Sequence, residues 1–386
     1  MNTARRRFLQ SLAAFAVAES GICRGSSAPR ADRSGSPRTI VLAVGGIRRA
    51  ETFAESGIAN IPHLWGELFR QSTFFVNTRN EGVTSHFNTT SSIITGNWQR
   101  VDDWGRVPPA SPTIFEFTRR FLRLPQDDVW FISSNKALTN RIGASSDPAY
   151  GPRYGANVVF PKQMLIDAVV NAAAHGRADH TGDRSAMGPE LASMLEASNF
   201  EGLGWSVEGD DAILNQTTEA TVVRAIGDLV HGGSPVTGDE FTFLVAKEIM
   251  RRFSPSLLVM SFSDVEVAHF GSYSLHLAGI RIMDSLVYEL WDEVQKNPDY
   301  RGRTTLFVLP EFGRDLDGSP TNGFFNHRFN NDSTRLTWMM CLGAGARAGQ
   351  VVDRPVQHVD VCPTIASLWG LELPPMQGQA LAEIRM

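Results

Sequence analysis

The stretch from Leu257 to Arg314 constrains the fold of this chain more than any other part of it. Leu257, Leu258, Val259, Met260, Ser261 and Phe262 make a largely apolar run of strand length that leads directly into Asp264, Glu266 and His269. A second run, Thr304 to Leu309, leads into Pro310, Glu311, Phe312, Gly313 and Arg314. Between them, Leu277, Ile280, Leu286, Leu290 and Val294 recur with helical period from Tyr273 onward, so the unit reads strand, helix, strand. Parallel strands joined by a crossover helix bring their carboxyl ends to one edge of a sheet, where ligands collect. Carboxylates and imidazole are therefore expected to meet in one crevice.

With 386 residues the chain has enough length to bury a large α/β core. Its 36 basic and 41 acidic residues are spread throughout and leave a net charge of -5, so no basic stripe points to nucleic acid. Cys23, Cys341 and Cys362 have neither the spacing of a zinc finger nor the number of a disulfide scaffold. The first residues carry a local signal. Arg5, Arg6, Arg7, Phe8 and Leu9 precede a short apolar run from Ser11 to Ala18 that ends in small residues. This has the layout of a twin-arginine signal peptide over residues 1–18. It predicts export through the twin-arginine machinery to the periplasm or beyond. No other stretch reaches the ~18 consecutive apolar residues of a membrane span, so no membrane association is expected after export.

Residues 19–38 are rich in Ser, Gly, Pro and Arg and read as a flexible leader. The folded part is expected to run from 39 to 386. Thr39 to Val44 is a buried strand stopped by Gly45 and Gly46, and Phe74 to Val76 and Val129 to Ser133 are further strands. Thr84 and Ser85 open a helix from His86 that closes on Gly96, with Asn88, Thr89 and Thr90 on its surface. Residues 136–254 differ in texture, with helical patterns at 162–174, 189–197, 217–229 and 239–252, and read as a mostly helical insertion or cap. A polar loop, 315–333, carries His327; Thr337 to Leu342 is a strand, and a helix from His358 closes the chain.

In this order the pieces resemble the alkaline phosphatase-like superfamily, which includes sulfatases, phosphodiesterases and nucleotide pyrophosphatases. Four stretches carry the resemblance: Val41 to Arg48, His86 to Gly96, Asp264 to Gly271 with Phe307 to Arg314, and Val359 to Leu368 with its following Gly370. The resemblance implies an α/β/α sandwich with a mostly parallel central sheet. It also implies hydrolysis of a phosphate or sulfate ester assisted by two divalent cations and a nucleophile at the start of a helix. This chain departs from the family pattern at four positions. Gly45 stands where a metal-binding Asp is usual, His86 at the nucleophile position, Glu311 in place of an Asp, and Phe312 in place of a His. One of the two metal sites is thereby dismantled.

The expected remainder is a single-cation site. Asp264 or Glu266, with His269 and His327, supplies a carboxylate and two imidazoles, an ordinary set for zinc with one open position, and Glu311 assists. Asp264 lies five residues before His269 and Glu266 three, which leaves the inward carboxylate open. His86, Ser85 or Thr84 is the candidate to attack or to orient a water, and Arg48 and Arg314 are candidates to clamp a tetrahedral oxyanion through their guanidinium forks. The expected substrate is a small phosphate or sulfate ester. The other function class is a catalytically inactive member of the fold that binds a ligand or partner in the old crevice.

Overall fold

The computed structural model describes residues 36–164, 237–320, 323–329 and 331–385. The signal at 1–18, most of the leader, the predicted helices at 189–197 and 217–229, and most of that at 162–174 lie outside the described residues. Among the described residues nine strands form one sheet: β1 (Arg38–Val44), β2 (Ser72–Arg79), β3 (Val129–Ser133), β4 (Asn157–Val159), β5 (Leu257–Phe262), β6 (Thr304–Pro310), β7 (Leu336–Gly343), β8 (Gln350–Val352) and β9 (Val356–Gln357). Their order is β4-β3-β5-β1-β6-β7-β2-β8, with β9 beside β2. Every pairing is parallel except those of β7, which runs antiparallel to β2 and to β6.

The longer helices among the described residues are α1 (His86–Thr95), α2 (Ile114–Phe121), α3 (Gly238–Phe253), α4 (Tyr273–Lys296) and α5 (Val361–Leu368). They cover both faces of the sheet, which is why its central strands are apolar on both sides. Along β1, Ile40, Leu42 and Val44 pack with Phe241 and Ile249 of α3 and Ile280 and Leu290 of α4. Val41 and Ala43 point the other way, against Ile93 and Ile94 of α1, Phe115 of α2 and Ile365 of α5. The result is the α/β/α sandwich that the resemblance implies. Cys341 and Cys362 are buried free thiols in this second layer. Among the described residues no helix is long and apolar enough to cross a membrane.

The boundaries of the predicted insertion need correcting. β4, at 157–159, extends the sheet beside β3, and α3 packs into the core, so both belong to the sandwich although they fall inside 136–254. A three-residue strand is too short to show alternation, and a core helix of a parallel sheet has the same period as a cap helix.

Two features place the functional residues. The middle strands end level: Val44 is the register partner of both Phe262 and Pro310, so β1, β5 and β6 deliver their following loops to one point. Within the strand, helix, strand unit the fold inserts β1 between β5 and β6. The second feature is α1, whose ten residues are all buried despite their polarity. Asn88, Thr89 and Thr90 are therefore interior groups with partners: Asn88 Nδ2 donates to Ser85 Oγ, Asn80 Nδ2 to Thr89 Oγ1, and Thr90 Oγ1 to Glu311. The helix stops at Gly96, which is left-handed at φ 69° and donates its N–H to Ser92 O. Gly96→Ala forces a side chain into that conformation and should cost about 1–2 kcal/mol, read as a lower midpoint in urea unfolding.

Candidate metal centre

Beyond β5 the chain enters a tight 3-10 helix, Asp264–Phe270. With three residues per turn, side chains three apart eclipse one another, which places Glu266 and His269 on one face and turns Asp264 away. Glu266 Oε2 lies 3.1 Å from His269 Nε2, 3.4 Å from His86 Nε2 and 4.0 Å from His327 Nε2. Glu266 is thus the inward carboxylate. Asp264 instead accepts the N–H of Asp239 at the start of α3, 2.8 Å away, while the Asp239 carboxylate accepts those of Ser263 and Asp264. Burial pushes both aspartates up from the usual carboxylate range, and Asp264 adds to the shift at Asp239. The pair ties α3 to the end of β5.

The Glu266 carboxylate enters a space left by glycine. A Cβ added at Gly45 would stand 2.4 Å from Glu266 Oε1, so any larger residue there would expel the carboxylate. Gly46 N donates to Oε1 and Arg314 Nη2 to Oε2, each at 2.5 Å. Burial alone would raise the pKa of Glu266, but Arg314 first and His86 second hold it well below the usual carboxylate range. It is an anion in the core.

Each of the three imidazoles comes from a different part of the chain. His86 opens α1, and its Nδ1 lies 2.6 Å from Glu311 Oε2. Burial disfavours its charged form, yet Glu266 and Glu311 outweigh burial and raise its pKa well above 6.5. His86 Nε2 is buried with no hydrogen-bond partner and faces the cluster. His327 Nδ1 lies 2.7 Å from the Thr84 carbonyl, which can only accept, so Nδ1 carries the proton and Nε2 offers its lone pair. In return Thr84 Oγ1 donates to His327 O, stitching two loops far apart in sequence. Burial, helped by repulsion from His86, Arg314 and His269, outweighs the pull of Glu266 and keeps the His327 pKa well below 6.5. His269 and His327 face each other with their Nε2 atoms 3.1 Å apart.

A divalent cation suits this donor set. Ligand atoms of His86, Glu266, His269 and His327 all lie within 4.8 Å of one another. Three nitrogens and one carboxylate oxygen suit a divalent metal, and His86 Nε2, buried with no hydrogen bond beyond its 3.4 Å approach to Glu266, is the kind of polar atom that a cation would satisfy.

The remaining candidates stand in other roles. Glu311 is beside the cluster, but its oxygens are taken by His86 and Thr90. Arg314 is fully buried, its guanidinium bonded to Gly46 O, Phe324 O and Glu266, so it clamps Glu266 and does not face a substrate oxyanion. Arg48 is paired with Glu51 at 2.5 Å and Asp317 at 3.0 Å and takes no part in the cluster. Thr84 and Ser85 border the centre; Ser85 Oγ accepts from Asn88. Phe312 stacks on His327 with ring centroids 4.2 Å apart and fills space beside His86. The sequence reading missed Thr90, and it missed Asn80, whose Nδ2 donates to the Glu311 carbonyl. A polar residue on a helix or after a strand carries no pattern that marks it as interior.

Comparison with solved structures gives the same architecture. The chain is similar to a mutant of the alkaline phosphatase PafA, with 12% identity, a TM-score of 0.55 and coverage of 94% of this chain and 100% of that one. It is similar to a protein in the alkaline phosphatase superfamily from Vibrio parahaemolyticus, with 13% identity, a TM-score of 0.52 and coverage of 96% and 77%. A third is BT1596, a 2-O GAG sulfatase, with 11% identity, a TM-score of 0.51 and coverage of 90% and 73%. No protein-family model matches the chain, and no curated protein matches it in sequence. What is shared at these identities is the fold.

Two substitutions test which carboxylate serves the centre. Glu266→Gln should lower divalent-metal affinity by ~100-fold or more, whereas Asp264→Asn should leave the metal content of the purified protein unchanged. Gly45→Ala, which changes no ligand, should weaken binding by at least ~10-fold through displacement of Glu266, measured by calorimetric titration.

Proposed function

On a chain with the alkaline phosphatase-like fold, we propose that Glu266, His86, His269 and His327 hold one divalent cation, zinc by its donor set, in a hydrolase of phosphate or sulfate esters. The observation that carries this reading is the convergence of three imidazole nitrogens on one buried, ionised carboxylate. A cation held there would supply charge withdrawal from a nonbridging oxygen of the ester. The chain's own contribution is to fix the ligands. Arg314 and Gly46 N hold Glu266, the Thr84 carbonyl orients His327, and the amino end of α1 adds a partial positive charge beside the ester. Thr84 Oγ1 is engaged with His327 O and Ser85 Oγ with Asn88, so the attack is assigned to a water admitted beside His269, the most exposed member of the set with a side chain 24% accessible.

The Arg5 to Ala18 pattern extends the proposal to an exported protein that uses the twin-arginine machinery and works in the periplasm or outside the cell. Its partner there is a small phosphate or sulfate ester.

A second reading, an inactive member that binds a ligand or partner, draws on the charge balance. Arg314 against Glu266, and a protonated His86 between two carboxylates, neutralise the centre without an ion.

Metal analysis and turnover decide between the two. Purified protein is expected to carry about one equivalent of a transition metal and to hydrolyse a nitrophenyl phosphate, phosphodiester or sulfate. His269→Ala should lose both, with rates down ~100-fold or more. A wild-type protein with neither metal nor turnover would establish the binding reading.

A further inference from the structure

Glu311 follows β6 at the position where the resemblance expects a metal-binding carboxylate, yet its surroundings give it another task. One oxygen, Oε2, lies 2.6 Å from His86 Nδ1, and the other accepts from Thr90 Oγ1. Its backbone is held as well: the N–H donates to Val44 O at 2.7 Å and the carbonyl accepts from Asn80 Nδ2 at 3.0 Å. Glu311 is 1% exposed and His86 7%, so neither bond competes with bulk water. His86 Nε2, the far atom of the same ring, is buried with no hydrogen bond beyond its 3.4 Å approach to Glu266, and it faces the other two imidazoles.

We propose that Glu311 is a positioning residue and not a ligand: it takes the Nδ1 side of His86, with Thr90 holding the carboxylate in place, and so commits the Nε2 lone pair to the centre. The inference rests on the reading of the cluster as a cation site. A carboxylate on the remote nitrogen of an imidazole fixes its tautomer and ring orientation and raises its basicity as a ligand. Thr90, Glu311 and His86 form a chain of three residues, in which Glu311 affects the cation only through the ring. That dependence is what separates it from a ligand, because a residue that acts only through another costs little once the other is removed, while a ligand in its own right still costs affinity.

The test is a cobalt(II) titration of the full-length purified protein, followed by calorimetry and by visible absorption. It compares wild type, Glu311→Gln, His86→Ala and the double variant. Glu311→Gln should weaken cobalt binding ~10–100-fold, and adding it to His86→Ala should change affinity by no more than about twofold. Glu311→Asp, which keeps an acceptor, should recover part of the loss. A double variant weaker than His86→Ala by the full single-mutant factor, or a Glu311→Gln protein that binds as well as wild type, overturns the proposal. A readout free of metal accompanies it: proton NMR of the apo protein should show a strongly downfield His86 Nδ1 proton that vanishes in Glu311→Gln. If wild type binds no cobalt, the cation-site reading fails. The downfield proton then judges the pairing alone, and its absence from wild type or its persistence in Glu311→Gln overturns the positioning role.

Discussion

A single buried anion organises the centre. Glu266 is 1% exposed, and a carboxylate removed from water to that degree requires compensation from fixed charge and hydrogen bonds. The Arg314 guanidinium, itself fully buried, supplies the charge, and the Gly46 amide supplies a second donor. Deleting one partner of such a pair leaves the other uncompensated, at about 3–5 kcal/mol. The chain therefore keeps Glu266 ionised and aimed whether or not a cation is bound, and the imidazoles gather around a charge that is already in place.

The positions at which the chain differs from the pattern it resembles stand together around that carboxylate. With glycine at 45, the first strand brings no acid of its own, and the vacated space receives the Glu266 carboxylate from the neighbouring strand's loop. Phe312 brings a ring that stacks on His327. Glu311, one methylene longer than Asp, reaches the His86 ring and the Thr90 hydroxyl. Gly45, His86, Glu311 and Phe312 thus meet in one compact site in which acids, imidazoles and arginine lie side by side.

Much of the architecture can be read along the chain. Val129 to Ser133 and Leu257 to Phe262 are strands with the bounds their apolar runs suggest, and α4 follows its period from Tyr273. The carboxyl ends of β5 and β6 do share an edge, as a strand, helix, strand unit requires. The limits of local pattern are equally specific. β4 is too short for periodicity, and Asn88, Thr89 and Thr90 read as surface groups of α1 because they are polar, although all are buried. Hydrophobicity reports whether a residue avoids water, not whether it has found a partner away from it.

The same division runs through the centre. Placement after buried strands nominated Glu266, His269, Glu311 and Arg314, because a strand's end is a one-dimensional property of the chain, while His327 came from a later polar loop and the family resemblance implied that these groups form one site. Folding settled what each of them does. Asp264 and Glu266 were equivalent on spacing until the 3-10 turn put Glu266 over His269. Arg314 and Arg48 looked alike until one was buried against Glu266 and the other paired with Glu51. His86, at the start of α1, and His327, in a loop 241 positions later, meet in the cluster, and their inward nitrogens are chosen by Glu311 and the Thr84 carbonyl. Direction, partner and protonation state depend on which groups share a volume, and that is set by the pairing of β1 between β5 and β6, a contact between segments that no local pattern encodes.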